Sequence, residues 1–369
     1  MKVLVVFGTR PEAIKMLPLV NKLKEADGIE CTVCLTGQHR EMLTQVMNAF
    51  GIKEDHNLDI MKDSQTLTSI TTSVLEGMES LLGDIRPDVV LVHGDTTTSY
   101  AAAMAAFYRQ IPVGHVEAGL RTGNIYSPFP EEMNRLLTDR ISTYHFAPTK
   151  TNSENLFHEG IDQNVYVTGN TVIDAFQYTV KKYYHFSNKE LASIDHKLHK
   201  IVTITAHRRE NLGKPLENIC NAIKRLAAEY SDYIFVYPVH LNPAVRNTVF
   251  EILSDKDNVM LTDPIDVLDM HNLLAISYMV MTDSGGLQEE APHFGKPVLV
   301  LRTETERPEA VEAGTVRVVG VKEEDIYQAA KALFEEDNLY ASMAHAVNPY
   351  GDGHASERIV EVLKGIMKA

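Results

Sequence analysis

The 369 residues carry 44% apolar and 23% charged side chains, a balance that fits two domains of ordinary size in a soluble globular enzyme. Lys plus Arg number 35 against 50 for Asp plus Glu, giving a formal net charge of −15; with no basic block, this argues against non-specific binding to nucleic acid or an anionic membrane surface. The apolar runs at 3–7 and 89–92 fall far short of the roughly 18 residues of a membrane span, and the first lacks the length and cleavage site of a signal peptide, so a cytoplasmic protein is expected.

In chain order, short apolar runs alternate with amphipathic stretches. Strands are expected at 2–7, 30–35, 88–93, 112–117, 143–147 and 165–168, with helical segments at 13–25, 39–50, 67–82 and 96–108 between them. A polar stretch without strand character follows Gly169-Asn170. The rhythm then resumes at 201–205, 233–237, 259–261, 278–281, 298–301 and 316–318, and 354–368 reads as a closing helix. About six strands in each half predict an α/β chain of two doubly wound Rossmann-like domains facing a cleft. The expected boundaries are 1–170 and 171–353, with a C-terminal helix at about 354–369 packing back on the first domain. Cys31-Thr-Val-Cys34 lies inside a strand-like run, where residues three apart point to opposite faces, so it reads as structural rather than redox-active or zinc-binding.

Ligands of open α/β sheets bind beyond the carboxyl ends of the strands. Charged and glycine-rich clusters fall at those ends in both halves: Gly8-Thr-Arg-Pro-Glu12, His93-Gly-Asp-Thr96, His115-Val-Glu-Ala-Gly-Leu-Arg121, His207-Arg-Arg-Glu-Asn211 and Thr282-Asp-Ser-Gly-Gly286. Ser284-Gly285-Gly286 before a helix suits an anion, because glycines admit close approach and free amides face a phosphate; a plain tight turn explains the glycines equally well. Arg10, Lys15, His207 and Arg307 are the cations available to balance such an anion. Asp95, Glu117 and Glu131 are acid–base candidates. For Asp95 the competing reading is a helix cap, and for Glu131 a first-turn residue facing the helix dipole. The absence of G-x-G-x-x-G after the first strand and of G-x-x-x-x-G-K-[ST] removes the main support for dinucleotide and P-loop readings. The histidines lack metal-ligand spacing, so no metal and no cofactor are expected.

Seven segments taken together resemble the non-hydrolysing UDP-N-acetylglucosamine 2-epimerase family over essentially the whole chain. They are Val6-Phe-Gly-Thr-Arg-Pro-Glu-Ala-Ile-Lys15, Val92-His-Gly-Asp-Thr-Thr97, Gly114–Arg121 with Pro128-Phe-Pro-Glu-Glu132, His207–Asn211, Thr282-Asp-Ser-Gly-Gly-Leu-Gln-Glu-Glu290 and Glu306-Arg-Pro-Glu309. The resemblance implies a glycosyltransferase-B-like fold, a homodimer, and interconversion of UDP-GlcNAc with UDP-ManNAc through elimination of UDP to 2-acetamidoglucal and its re-addition, supplying ManNAc units for bacterial surface polysaccharide. It implies Arg10, Lys15, Asp95, Glu117, His207, Ser284, Gly285, Gly286, Glu290 and Arg307 as ligand-binding positions. In that assignment Glu290 meets the ribose, and Arg10, His207 and Arg307 surround the diphosphate. Asp95, Glu117, Glu131 and His207 would be catalytic. The uracil would lie at 263–270, where Ile265 and Met270 stand in place of the Gln and Phe that relatives often carry. A second, activating UDP-GlcNAc would be met by Gln38, His39, Glu41, Arg208 and His240; Glu41 stands where some relatives have Gln, and Ser64 where some have Arg. Three other readings use the same fold: a glycosyltransferase with a separate acceptor, the hydrolysing relative that releases free ManNAc, and a non-catalytic nucleotide-sugar binder. Three carboxylates in the first half favour the epimerase.

Overall fold

The computed structural model describes residues 1–37, 40–61 and 65–368. The chain divides into two compact units, Met1–Tyr178 with Tyr350–Ala369, and Thr179–Pro349.

Among the described residues, the first unit holds seven strands: β1 (Lys2–Phe7), β2 (Glu30–Leu35), β3 (His56–Asn57), β4 (Val89–His93), β5 (Val113–Val116), β6 (Tyr144–Ala147) and β7 (Val165–Val167). They lie in the order β3-β2-β1-β4-β5-β6-β7 and every pairing is parallel. The second unit repeats the plan with β8 (Lys200–Thr205), β9 (Tyr233–Pro238), β10 (Val259–Thr262), β11 (Met279–Thr282), β12 (Val298–Val300) and β13 (Val316–Val318), in the order β10-β9-β8-β11-β12-β13. The winding reverses between β1 and β4 in one sheet and between β8 and β11 in the other. At such a reversal the flanking loops part and leave a crevice.

Parallel strands covered by helices on both faces must be apolar throughout, and β1 and β4 are buried along almost their whole length. The helix Thr97–Tyr108 supplies alanines at 101–103, 105 and 106, all buried, so it lies close against the apolar side chains of Val74, Met78, Val90 and Val92. In the second unit, Val202, Ile204, Phe235 and Met281 from the sheet pack with Leu216, Ile219 and Ile223 of the helix Lys214–Glu229. The strand β3 has no counterpart among the expected elements. It is two polar residues aligned with Cys34 and Leu35 at the sheet edge, too short to leave an apolar signature. Cys31 and Cys34 lie on β2, and burial pushes both thiols up to about 12, which fits inert side chains.

The turn after β1 is set locally. Thr9 caps the helix Arg10–Glu25, and Glu12 answers by accepting the Thr9 amide at 2.7 Å and that of Gly8 at 3.1 Å. Position 8 leaves little room for a side chain: a Cβ there would sit 2.0 Å from the Thr36 hydroxyl, which would have to move.

Candidate active site

The loops after β1 and β4 meet through one buried carboxylate. Besides its two backbone amides, Glu12 accepts the hydroxyls of Thr96 and Ser99, each at 2.7 Å, and so ties the loop bearing Arg10 to the loop bearing Asp95. The T-x-x-E spacing of Thr9 and Glu12 is a signal that points to the cap, whereas nothing in the sequence marks the reach across to β4.

Glu117 follows β5 in the left-handed backbone region, at φ 69°. A conformation that costs a non-glycine residue energy persists only when its surroundings fix it, and such residues gather at functional sites. Its carboxylate pairs with Lys15 from the first helix, accepts from the Asn170 side chain at 3.1 Å, and lies 3.5 Å from Nε2 of His93. Burial opposes its charge, but Lys15 and His93 hold the carboxyl well below the usual carboxylate range. It is therefore ionised and counterbalanced. It also stands beside the next loop: a Cβ built on Gly94 would lie 3.6 Å from its Oε1.

Asp95 is not a helix cap. Thr96 caps the helix Thr97–Tyr108 by accepting the Ser99 amide at 3.0 Å. This frees the Asp95 carboxylate, one quarter exposed, to pair with Arg135, while its backbone carbonyl accepts from Asn134 at 2.8 Å. Arg135 also approaches Glu132 at 3.4 Å. Glu131 opens the helix Glu131–Ile141, as the first-turn reading has it, and is half-buried with no side-chain hydrogen bond or ion pair among the described residues. The structure thus brings Lys15 to Glu117, with Asp95 one loop away, but gives Glu131 no such contact.

Beneath these loops lies a charged network with no sequence signal beyond its residue types. His115 holds the Gly94 carbonyl at 2.8 Å through Nε2 and the Asp139 carboxylate at 2.5 Å through Nδ1. Asp139 also accepts from Arg121 at 2.7 Å and from the Gly119 amide at 3.2 Å. Burial disfavours its charge, yet His115 and Arg121 bring it down to about 2. The folded value lies below the ordinary carboxylate value of about 3.9, so the contribution to stability is present above pH 4 and lost as pH falls toward 2. We expect acid unfolding monitored by circular dichroism to show this loss, on the order of 2 kcal/mol, and Asp139→Asn to remove most of that pH dependence.

In the second unit the corresponding reversal between β8 and β11 carries Asp283, fully buried at the end of β11. Its Oδ2 accepts the backbone amides of His207 and Arg208, both at 2.8 Å, and the Asn211 side chain at 3.0 Å. His207 keeps 42% of its side chain exposed and stacks on His240, with ring centres 5.2 Å apart and planes 9° apart. Burial, with the neighbouring His240 and Arg208, holds His207 below its ordinary value despite Asp283, so the ring is neutral near pH 7. Ser284 opens the helix Gly285–Glu290 without using its hydroxyl as a cap, and its amide donates to Thr282 at 2.9 Å. A Cβ on Gly285 would lie 3.5 Å from the Arg307 guanidinium and 3.8 Å from that of Arg208, so two cations approach this turn. Arg307 is aimed by Glu289, and Arg208 by Glu306 at 3.6 Å. Glu290 stands 3.7 Å from His271. Ile265 packs on an apolar cluster with Val236 and Leu273, and Met270 is half-buried on the helix Val267–Ile276. Arg10 is the half-buried first residue of its helix. Gln38, His39, Ser64 and the side chain of Glu41 lie outside the described residues. Among the described residues, no three His, Cys, Asp or Glu side chains are placed to hold a metal ion, and no helix is long and apolar enough to cross a membrane.

Two doubly wound Rossmann-like units, each with charged loops at its strand reversal, define the glycosyltransferase-B-like class of α/β proteins. The UDP-N-acetylglucosamine 2-epimerase family model matches residues 21–364, and the chain belongs to this family, whose reaction is an isomerisation. It is 55% identical to the UDP-N-acetylglucosamine 2-epimerase of Bacillus subtilis, covering 98% of this chain and 95% of that one. The crystal structure of UDP-GlcNAc 2-epimerase from Neisseria meningitidis bound to UDP-GlcNAc is 50% identical, with a TM-score of 0.89 over 99% of this chain and all of that one. The Methanocaldococcus jannaschii UDP-GlcNAc 2-epimerase in complex with UDP-GlcNAc and UDP is 33% identical, with a TM-score of 0.78 over 99% of each chain.

Proposed function

We propose that this chain interconverts UDP-GlcNAc and UDP-ManNAc by eliminating UDP and adding it back. The observation that carries the reading is the carboxylate pair, Asp95 and Glu117, at the ends of neighbouring strands in a chain of this family.

The chemistry explains the need for such residues. The C2–H of the sugar is not next to a carbonyl, so its removal alone would leave an unstabilised carbanion. Departure of UDP from C1 as C2 loses its proton gives 2-acetamidoglucal instead. Return of UDP, with protonation of C2 from the other face, yields the epimer. Arg307, the amides of Gly285 and Gly286 and the uncapped Ser284 hydroxyl stabilise the departing diphosphate, a role assigned to Arg10 and His207 as well. Glu290 holds the ribose, and the 263–270 segment the uracil. Asp95, Glu117 and Glu131 move the proton at C2. Glu117 enters the reaction already ionised, with Lys15 offsetting its charge. The product supplies ManNAc units, in this reading, for surface polysaccharide.

A transferase on the same fold would need an acceptor, so turnover of UDP-GlcNAc alone separates the two readings. UDP-GlcNAc carrying ¹⁸O in the bond between C1 and the β-phosphorus tests the elimination. The label is expected to scramble into the non-bridging β-phosphate positions, visible by ³¹P NMR, in recovered substrate and product alike. Epimerisation with the label wholly retained in the bridge would contradict departure of UDP. Arg10→Ala is expected to weaken UDP binding about tenfold in calorimetry, the loss of one charge-assisted contact to phosphate.

A further inference from the structure

Asp283 is a buried carboxylate with one oxygen in use and one idle. Oδ2 accepts all three of the hydrogen bonds described above, whereas Oδ1 is buried and has no hydrogen-bond partner among the described residues. A buried carboxylate oxygen left without a partner is costly, and native proteins retain few of them. Nδ1 of His207 lies 3.8 Å from that oxygen. Closing that gap to a hydrogen bond takes about 1 Å of ring movement, and catalytic contacts are often this long before substrate arrives. His240 stacks on the His207 ring with the two planes nearly parallel. The charged and titratable groups around the imidazole are Asp283 behind it, His240 on its face and Arg208 beside it.

We propose that Asp283 is a positioning residue for His207: its Oδ1 fixes the imidazole with the proton on Nδ1 and Nε2 turned outward, and it offsets the charge when the ring takes a second proton from water as a diphosphate arrives. This rests on the reading of His207 as a diphosphate neighbour. The proton balance is simple. The neutral ring donates Nδ1–H to Asp283; the incoming anion favours protonation at Nε2, which then donates to a phosphate oxygen, and the imidazolium lies between two negative groups. Removing UDP reverses the uptake.

Asp283→Asn separates this role from the loop-holding role. Its amide oxygen still accepts from the His207 and Arg208 amides, while its NH₂ faces Nδ1 and demands the opposite tautomer. NMR of ¹⁵N-histidine-labelled protein, with His207 assigned through a His207→Gln variant, reads the tautomer directly. In the wild-type protein we expect Nδ1 protonated and Nε2 bare at pH 7.5, and both nitrogens protonated after saturation with UDP. In Asp283→Asn we expect Nδ1 bare and no second proton with UDP, a fall in kcat of roughly 100-fold or more, and KM for UDP-GlcNAc within about threefold of wild type. A bare Nδ1 in the unliganded wild-type protein overturns the proposal whatever the variant does, as does a variant with the wild-type tautomer and UDP response. The expected NMR pattern in a protein that does not turn over UDP-GlcNAc would uphold the pairing and remove the epimerase reading instead.

Discussion

Glu117→Gln is expected to lower turnover by roughly 10² to 10⁴-fold, the range for loss of a positioned proton-transfer group. UDP affinity in calorimetry should stay within about threefold, because the groups assigned to the diphosphate and ribose are Arg10, His207, Ser284, Arg307, Glu290 and the amides of Gly285 and Gly286. The structural reason is specific to this position. Glu117 is held in an unfavourable left-handed backbone conformation, ionised, and in contact with Lys15, His93 and Asn170 together. The glutamine retains the shape and an oxygen for Asn170 but loses the charge that Lys15 offsets. A stability loss of about 1–3 kcal/mol from the stranded ammonium should accompany it, so activity is compared well below the melting temperature. A variant with near-wild-type turnover would remove Glu117 from the chemistry.

Gly119→Ala should be the most damaging small substitution in the first unit. Gly119 has φ 81°, and an added Cβ would lie 2.1 Å from the Asn152 carbonyl oxygen and 3.0 Å from Leu156. The obstacle is backbone, which cannot rotate away as a flexible side chain could. Overpacking and left-handed strain add up to on the order of 4 kcal/mol, a drop of about 10 °C in melting temperature. The damage should also reach the site. Gly119 donates its amide to Asp139 and accepts from Asn155 at 3.0 Å, so relief of the clash shifts the segment that carries Glu117. Turnover should therefore fall even at temperatures where circular dichroism reports a folded protein. A melt within 2 °C of wild type would show that the loop yields more easily than the close approach implies.

The fold was legible because its signal is cheap to write and hard to disguise. Parallel strands covered on both faces must be short apolar runs, and every strand with such a run, from β1 through β13, left one. The edge strand His56–Asn57 left none, since two polar residues pair by backbone alone. Candidate site residues were legible where chemistry and strand ends coincide, as at Glu117, Asp95 and His207. What sequence could not supply was the choice of partner. That Asp95 faces Arg135, 40 positions away, follows from how the helix Glu131–Ile141 lies on the sheet. Asp283 stood within the quoted Thr282–Glu290 motif, but its role shows only once β8 and β11 lie side by side and bring the 207–208 amides to its carboxylate. Buried carboxylates such as Glu12, Asp139 and Asp283 read in sequence as ordinary polar residues, because burial is a property of the packed chain.

Proton NMR of the protein with UDP-GlcNAc in heavy water, without acceptor or added metal, tests the central claim most directly. The expected spectrum gains UDP-ManNAc bearing deuterium at C2, and the recovered UDP-GlcNAc loses its C2 proton as the reaction approaches equilibrium. Free ManNAc with UDP would indicate the hydrolysing reaction instead. UDP-ManNAc that retains protium at C2, or a spectrum that never changes, would contradict epimerisation through cleavage of the C2–H bond.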